Sequence, residues 1–198
     1  TFGEINKELV FSEKGTEKLR RVIIALIIGK LNPWLLFSIE KLILIDASGL
    51  PTNKPQPAVF KMAKTPVLSS LFLYVTPKFF IKKNMEEVYA DNSKVTDAII
   101  TRYHKMALRV GNRQAFIDRA KTDFKLGAKA NLEKLKSIQT PSLLIWGAQD
   151  SWIPLDNGKQ MDRMLTNSKL VILENSGHVP MEENPAESLE ALNGFLED

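Results

Sequence analysis

The 198 residues carry 27 basic and 23 acidic side chains for a net charge of +4, with 44% hydrophobic residues, 25% charged residues and no cysteine. That balance is ordinary for a globular protein and excludes a disulfide framework, a thiolate metal site and a cysteine nucleophile. The charges are interspersed and no basic stripe interleaves with aromatics, so nucleic acid is not an expected partner.

In chain order, residues 16–31 read as helical. Residues 22–39 are apolar, but Lys30, Asn32 and Pro33 interrupt them, whereas a membrane span wants about 20 nearly uncharged residues. No charged-then-apolar leader is read at Thr1, and a cytoplasmic setting fits the cysteine-free composition.

Residues 41–45, Lys-Leu-Ile-Leu-Ile, run into the turn cluster Asp46-Ala-Ser-Gly-Leu-Pro51 and read as a buried parallel strand. The runs 142–146 and 170–173 read the same way, with a helical pattern at about 155–166 between them that starts near Pro154. Strand, helix, strand implies a crossover connection and a parallel sheet. The fold class expected is therefore α/β: a mainly parallel sheet with flanking helices and a helical lid insertion.

That insertion is residues 52–138, and the core is residues 1–51 together with 139–198. The insertion opens with Pro55, Pro57 and Pro66 and continues through the apolar 67–75. It then shows Val95, Ile99, Tyr103 and Met106 at helical spacing, with Ser93 as the expected cap. Leu71, Phe72 and Phe79 are expected on its inner face. His104 reads as a surface or lid-packing residue. Residues 67–81, apolar with Lys78, Lys82 and Lys83 nearby, carry an expectation of weak contact with a membrane surface.

Two residues point to chemistry. Asp150 follows Gly147-Ala-Gln at one strand exit, and His178 follows Ser176-Gly177 at the next. In open α/β sheets the loops past the strands' carboxyl ends gather reactive groups. An imidazole titrates near neutrality, and a carboxylate fixes its tautomer and stabilises the imidazolium. The plainer readings are an Asp that caps the following helix and a His packed in its loop. Trp152 and Val179 flank the pair as pocket lining or as simple core. The two histidines stand in unrelated contexts with no metal-ligand spacing, so no catalytic metal is expected.

The segment Ser176-Gly-His-Val-Pro-Met-Glu-Glu-Asn-Pro185, together with the strand ending Gly147-Ala-Gln-Asp150, resembles the α/β-hydrolase fold family, closest to lidded esterases and carbon–carbon bond hydrolases. The resemblance covers about residues 41–198. It implies a nucleophile–acid–histidine triad with Asp150 as the acid and His178 as the base. The implied reaction is hydrolysis of an ester, or of a carbon–carbon bond next to a carbonyl, on a small apolar ester or ketone, and the resemblance implies no organic cofactor or metal. The family's Gly-x-Ser-x-Gly elbow does not occur in this sequence. Ser12, flanked by Val10 and Lys14 where small residues are needed, is the only nearby candidate, and little turnover is expected of residues 1–198 alone. The alternative is a noncatalytic relative that binds an apolar ligand or partner.

Overall fold

A computed structural model describes residues 39–51, 54–121, 132 and 134–197, and the backbone of residues 22–27. Four parallel strands form one sheet in the order β1 (Val22–Ile27), β2 (Lys41–Ser48), β3 (Ser142–Gly147), β4 (Ser168–Leu173). The strands expected at 41–45, 142–146 and 170–173 are all present, each slightly longer. The helix expected at 16–31 is corrected over Val22–Ile27, which pairs in parallel with β2. Val-Ile-Ile-Ala-Leu-Ile is short and β-branched, and such a run suits a pleated surface as well as a helix face; the neighbouring strand decides.

Residues 42–45 of β2 and 143–146 of β3 are apolar without a break because both faces of the sheet are covered. The period of two divides their side chains between two cores. Leu42, Leu44, Leu144 and Trp146 pack on one face with Met161 and Leu165 from α6 (Leu155–Met164) and its end, while Ile43, Ile45, Leu143 and Ile145 pack on the other with Phe195 of α8 (Pro185–Glu197). Each such Leu or Ile contributes about 1.5–3 kcal/mol by leaving water. α6 begins behind Pro154 and lies so close to the sheet that a Cβ at Gly158 would sit 2.7 Å from the Trp146 ring. Lys41 closes the other face, donating to the carbonyls of Phe195 (2.6 Å) and Leu196 (3.1 Å) at the C-terminal end of α8.

Between β2 and β3 the described residues form helices and no strand: α1 (Ala58–Lys64), α2 (Pro66–Tyr74), α3 (Lys78–Val88), a 3-10 turn (Asn92–Lys94), α4 (Asp97–Ala107) and α5 (Asn112–Lys121). Three expectations here are corrected. The cap of α4 is Thr96, whose hydroxyl accepts from Ile99 N at 3.3 Å; Ser93 sits inside the preceding turn, itself capped by Asp91. Of the three expected inward residues, Phe72 packs against Ala63, Ile117 and Ala120, whereas Leu71 and Phe79 are exposed. An apolar helix arc states that it prefers to leave water and not which neighbour it meets. Among the described residues no helix is long and apolar enough to cross a membrane. The short α7 (Pro180–Glu183) connects the loop after β4 to α8.

Candidate active site

Register brings the two strand exits together. Gly147, the last residue of β3, pairs with Leu173, the last of β4, so the loops beyond them leave the same edge of the sheet. They are stitched by Ala148 N to Leu173 O (3.0 Å) and Gln149 N to Ser176 O (3.0 Å). Their approach requires glycine: a Cβ at Gly147 would stand 2.0 Å from Gly177 O.

Asp150, fully buried, divides its carboxylate between two tasks. Oδ1 accepts from Trp152 N (2.7 Å) and Ile153 N (2.9 Å), and Oδ2 lies 2.8 Å from His178 Nδ1. Oδ1 thus braces the loop ahead of α6 and does not cap that helix, whose N-cap is Pro154 with no side-chain bond, while Oδ2 faces His178. An ionised carboxylate can only accept, which assigns the proton to Nδ1 and leaves Nε2 with a free lone pair. The His178 side chain is 23% exposed, so the ring is held from the buried side and open on the other.

The backbone of the His178 loop is held from three directions. His178 N donates to Val88 O at the end of α3 (2.8 Å), and a Cβ at Gly177 would lie 2.3 Å from that same oxygen. Gly177 N donates to Glu183 Oε2 (2.7 Å), while Glu183 Oε1 accepts from Asp91 N (2.7 Å). Glu182 accepts from the hydroxyls of Tyr89 and Tyr103, each at 2.9 Å, and pairs with Arg102. Burial and the Glu182 carboxylate hold both phenols above their ordinary pKa.

Asp46, at the end of β2, is a further buried carboxyl. Its backbone is left-handed (φ 40°), an unusual state for a residue other than glycine. Oδ1 accepts from Gly147 N at 3.0 Å, and Oδ2 has no donor among the described residues. Burial first, and then the Asp150 and Glu183 charges, push its pKa up to about 9. It therefore carries a proton at neutral pH, and Asp150 is the acceptor facing it.

Of the other residues singled out by the sequence, Trp152 stands with its ring centroid 5.3 Å from that of His178 and 5.5 Å from that of Phe60 on α1. Val179 packs with Trp152 against Met85, Val88 and Tyr89. His104 bonds Thr76 O (2.8 Å) within the helical segment, away from this pair. Ser12 lies outside the described residues. Among the described residues no group of three or more His, Asp or Glu side chains could hold a metal ion. Asp46, Glu183 and Phe60 were not singled out by sequence. Glu183 lies inside the very segment that carries the family resemblance, which was the one available signal.

Residues 70–185 match the family model described as alpha/beta hydrolase fold. The chain is 29% identical over 159 residues to an uncharacterized hydrolase, YugF, of Bacillus subtilis, covering 79% of this chain and 56% of that protein. It is 28% identical over 99 residues to a 2-hydroxy-6-oxononadienedioate/2-hydroxy-6-oxononatrienedioate hydrolase of Pseudomonas putida, covering 50% of this chain and 34% of that one. In structure it is similar to a meta-cleavage product hydrolase from Pseudomonas fluorescens IP01, with a TM-score of 0.68 at 17% identity over 89% of this chain and 63% of that one. The chain thus spans between a third and two thirds of the length of these proteins.

Proposed function

Since the chain belongs to the α/β-hydrolase fold family, we propose that Asp150 and His178 are the acid and base of a hydrolase acting on a small apolar ester, or on a carbon–carbon bond next to a carbonyl. The observation that carries this reading is the 2.8 Å contact between His178 Nδ1 and the buried Asp150 carboxylate, with Nε2 left free. In the proposed reaction His178 Nε2 takes the proton of a nucleophilic hydroxyl as that oxygen attacks the carbonyl carbon. Asp150 stabilises the imidazolium, which then returns the proton to the leaving oxygen or carbon; water completes the cycle by the same route. Among the described residues no hydroxyl is hydrogen-bonded to the His178 ring, whose bond is to Asp150.

Residues 52–138 act in this reading as the lid of a core made of 1–51 and 139–198. Phe60 against Trp152, and Val88 O on His178 N, support it. Trp152 and Val179 then contribute the apolar side of the substrate site, and no cofactor enters. A cytoplasmic setting belongs to the same reading. In this reading the weak membrane contact expected of residues 67–81 falls to the exposed Val67, Leu71, Tyr74 and Phe79.

Turnover of aryl esters with short and long acyl chains tests the proposal. His178→Ala should abolish whatever turnover the purified protein shows, and Asp150→Asn should lower it by about 10⁴ because the wrong tautomer is then favoured. Turnover that survives His178→Ala would remove the base from the mechanism. The apolar Trp152 and Val179 beside His178 would serve equally a second reading, a noncatalytic binder of an apolar ligand. Saturable binding of a ketone analogue with no ester turnover would select it.

A further inference from the structure

α2 is apolar on both sides: Phe72 and Leu73 pack inward with Ala63, Ile117 and Ala120, and a second apolar side faces out. A helix on a protein surface ordinarily turns its apolar side inward and its polar side to water. Here Ser69 is 4% exposed, its hydroxyl turned back onto Pro66 O, while Val67 and Tyr74 are 78% and 80% exposed and Leu71 and Val75 are exposed beside them. At 3.6 residues per turn, positions 67, 68, 71, 74 and 75 fall within an arc of about 120°. The outward residues therefore form one stripe. Phe79, exposed at the start of α3, continues the apolar sequence. Arg113, which donates to Tyr74 O (3.1 Å), ties to the same end the turn on which Leu108 and Val110 are exposed.

Charge is segregated in the same part of the chain. Between Asp46 and Glu86 there are six lysines, at 54, 61, 64, 78, 82 and 83, and no acidic residue. The other 21 basic and 23 acidic residues leave the remainder of the chain slightly negative, so all of the net positive charge lies in this stretch. Lys64 stands just before the stripe and Lys78 just after it, with Lys82 and Lys83 one turn further on. Lys82 is half-spent on Glu86 at 3.8 Å.

We propose that the α2 face is a docking surface for an anionic lipid bilayer, with Val67, Leu71, Tyr74 and Phe79 entering the interface and Lys64, Lys78, Lys82 and Lys83 meeting the headgroups. An apolar stripe flanked by cations fits a surface that is apolar just beneath a negatively charged layer. A protein partner would satisfy the stripe without needing a lysine-only border. The inference stands apart from the hydrolase reading, because none of these residues touches Asp150 or His178.

Co-sedimentation with vesicles of phosphatidylcholine, alone or mixed with phosphatidylglycerol, tests it. The protein should pellet with the mixed vesicles, far less with phosphatidylcholine alone, and less again as salt is raised. Leu71→Asp should abolish pelleting. Lys82→Glu and Lys83→Glu should each weaken it by fivefold or more, about fivefold being the effect of one cation at an anionic surface. All three positions are on the surface, so the variants should keep the wild-type circular dichroism, and His178→Ala should bind as the wild type does. Equal pelleting with both vesicle types, binding unaffected by Leu71→Asp, or a Leu71→Asp change in oligomeric state without vesicle binding by the wild type would each overturn the proposal.

Discussion

Asp46 combines three costs: a left-handed backbone, complete burial and a carboxyl oxygen without a donor. Protonation resolves the third, since the hydroxyl so formed can donate to Asp150. The pH consequence has a definite sign. Its native pKa, about 9, lies above the ordinary 3.8, so between those values the folded protein holds a proton that the unfolded chain has released. Stability from this group is complete below about pH 3.8 and is lost as the pH climbs toward 9. Asp46→Asn keeps an acceptor for Gly147 N, supplies a permanent donor and tolerates the positive φ. Urea unfolding across the pH range should show a shallower alkaline loss for Asp46→Asn, by up to about 1.4 kcal/mol per pH unit removed. Asp46→Ala should cost about 1–3 kcal/mol at every pH by stranding Gly147 N. If the asparagine variant kept the wild-type slope, the proton would have to be placed elsewhere. Sequence reading did not find this residue, which stood in a turn cluster. Nothing local to Asp46 says that a strand about a hundred positions later brings Asp150 against it.

Among the elements, α7 is one turn long and cannot stand by its own hydrogen bonds. It is held instead by its two glutamates, which tie the His178 loop to the helical segment. Glu183 satisfies Gly177 N and Asp91 N at once, and Lys94 donates to its backbone oxygen at 2.7 Å. Glu183→Ala should cost about 1–3 kcal/mol for each N–H it strands. It should also speed amide exchange at Gly177 and Asp91 more than elsewhere in the sheet; exchange unchanged at those two amides would mean that the loop is held by Val88 alone. In the sequence Glu182 and Glu183 stand only as part of the segment 176–185 that carries the family resemblance. Their division of labour, one toward a cluster of Tyr and Arg hydroxyl and guanidinium groups and one toward backbone, needed the packed partners.

Over the whole molecule, the site exists because two loops from neighbouring strands close on each other without side chains between them. Gly147→Ala would drive a methyl group to 2.0 Å from Gly177 O, an approach that only separation of the loops relieves. That variant should lose the Asp150–His178 contact, read as loss of the hydrogen-bonded Nδ1 proton signal of His178 by NMR, and a small-to-large change of this kind costs about 1–3 kcal/mol or more. An unchanged proton signal would show that the glycine approach does not position the pair. The strands of residues 41–48, 142–147 and 168–173, the α6 crossover and the meeting of Asp150 with His178 were legible in the sequence. Each rests on a local signal: an unbroken apolar run for a strand covered on both faces, a proline at a helix start, a reactive residue a few positions past a strand end. The strand at Val22–Ile27, the outward turn of Leu71 and Phe79 and the buried proton on Asp46 were decided only by tertiary structure. In each of these the local chain is compatible with two answers whose energies are close, and the choice belongs to a neighbour that is distant in sequence: a strand edge that accepts a partner, a helix that offers or withholds a face, a carboxylate that removes water from another.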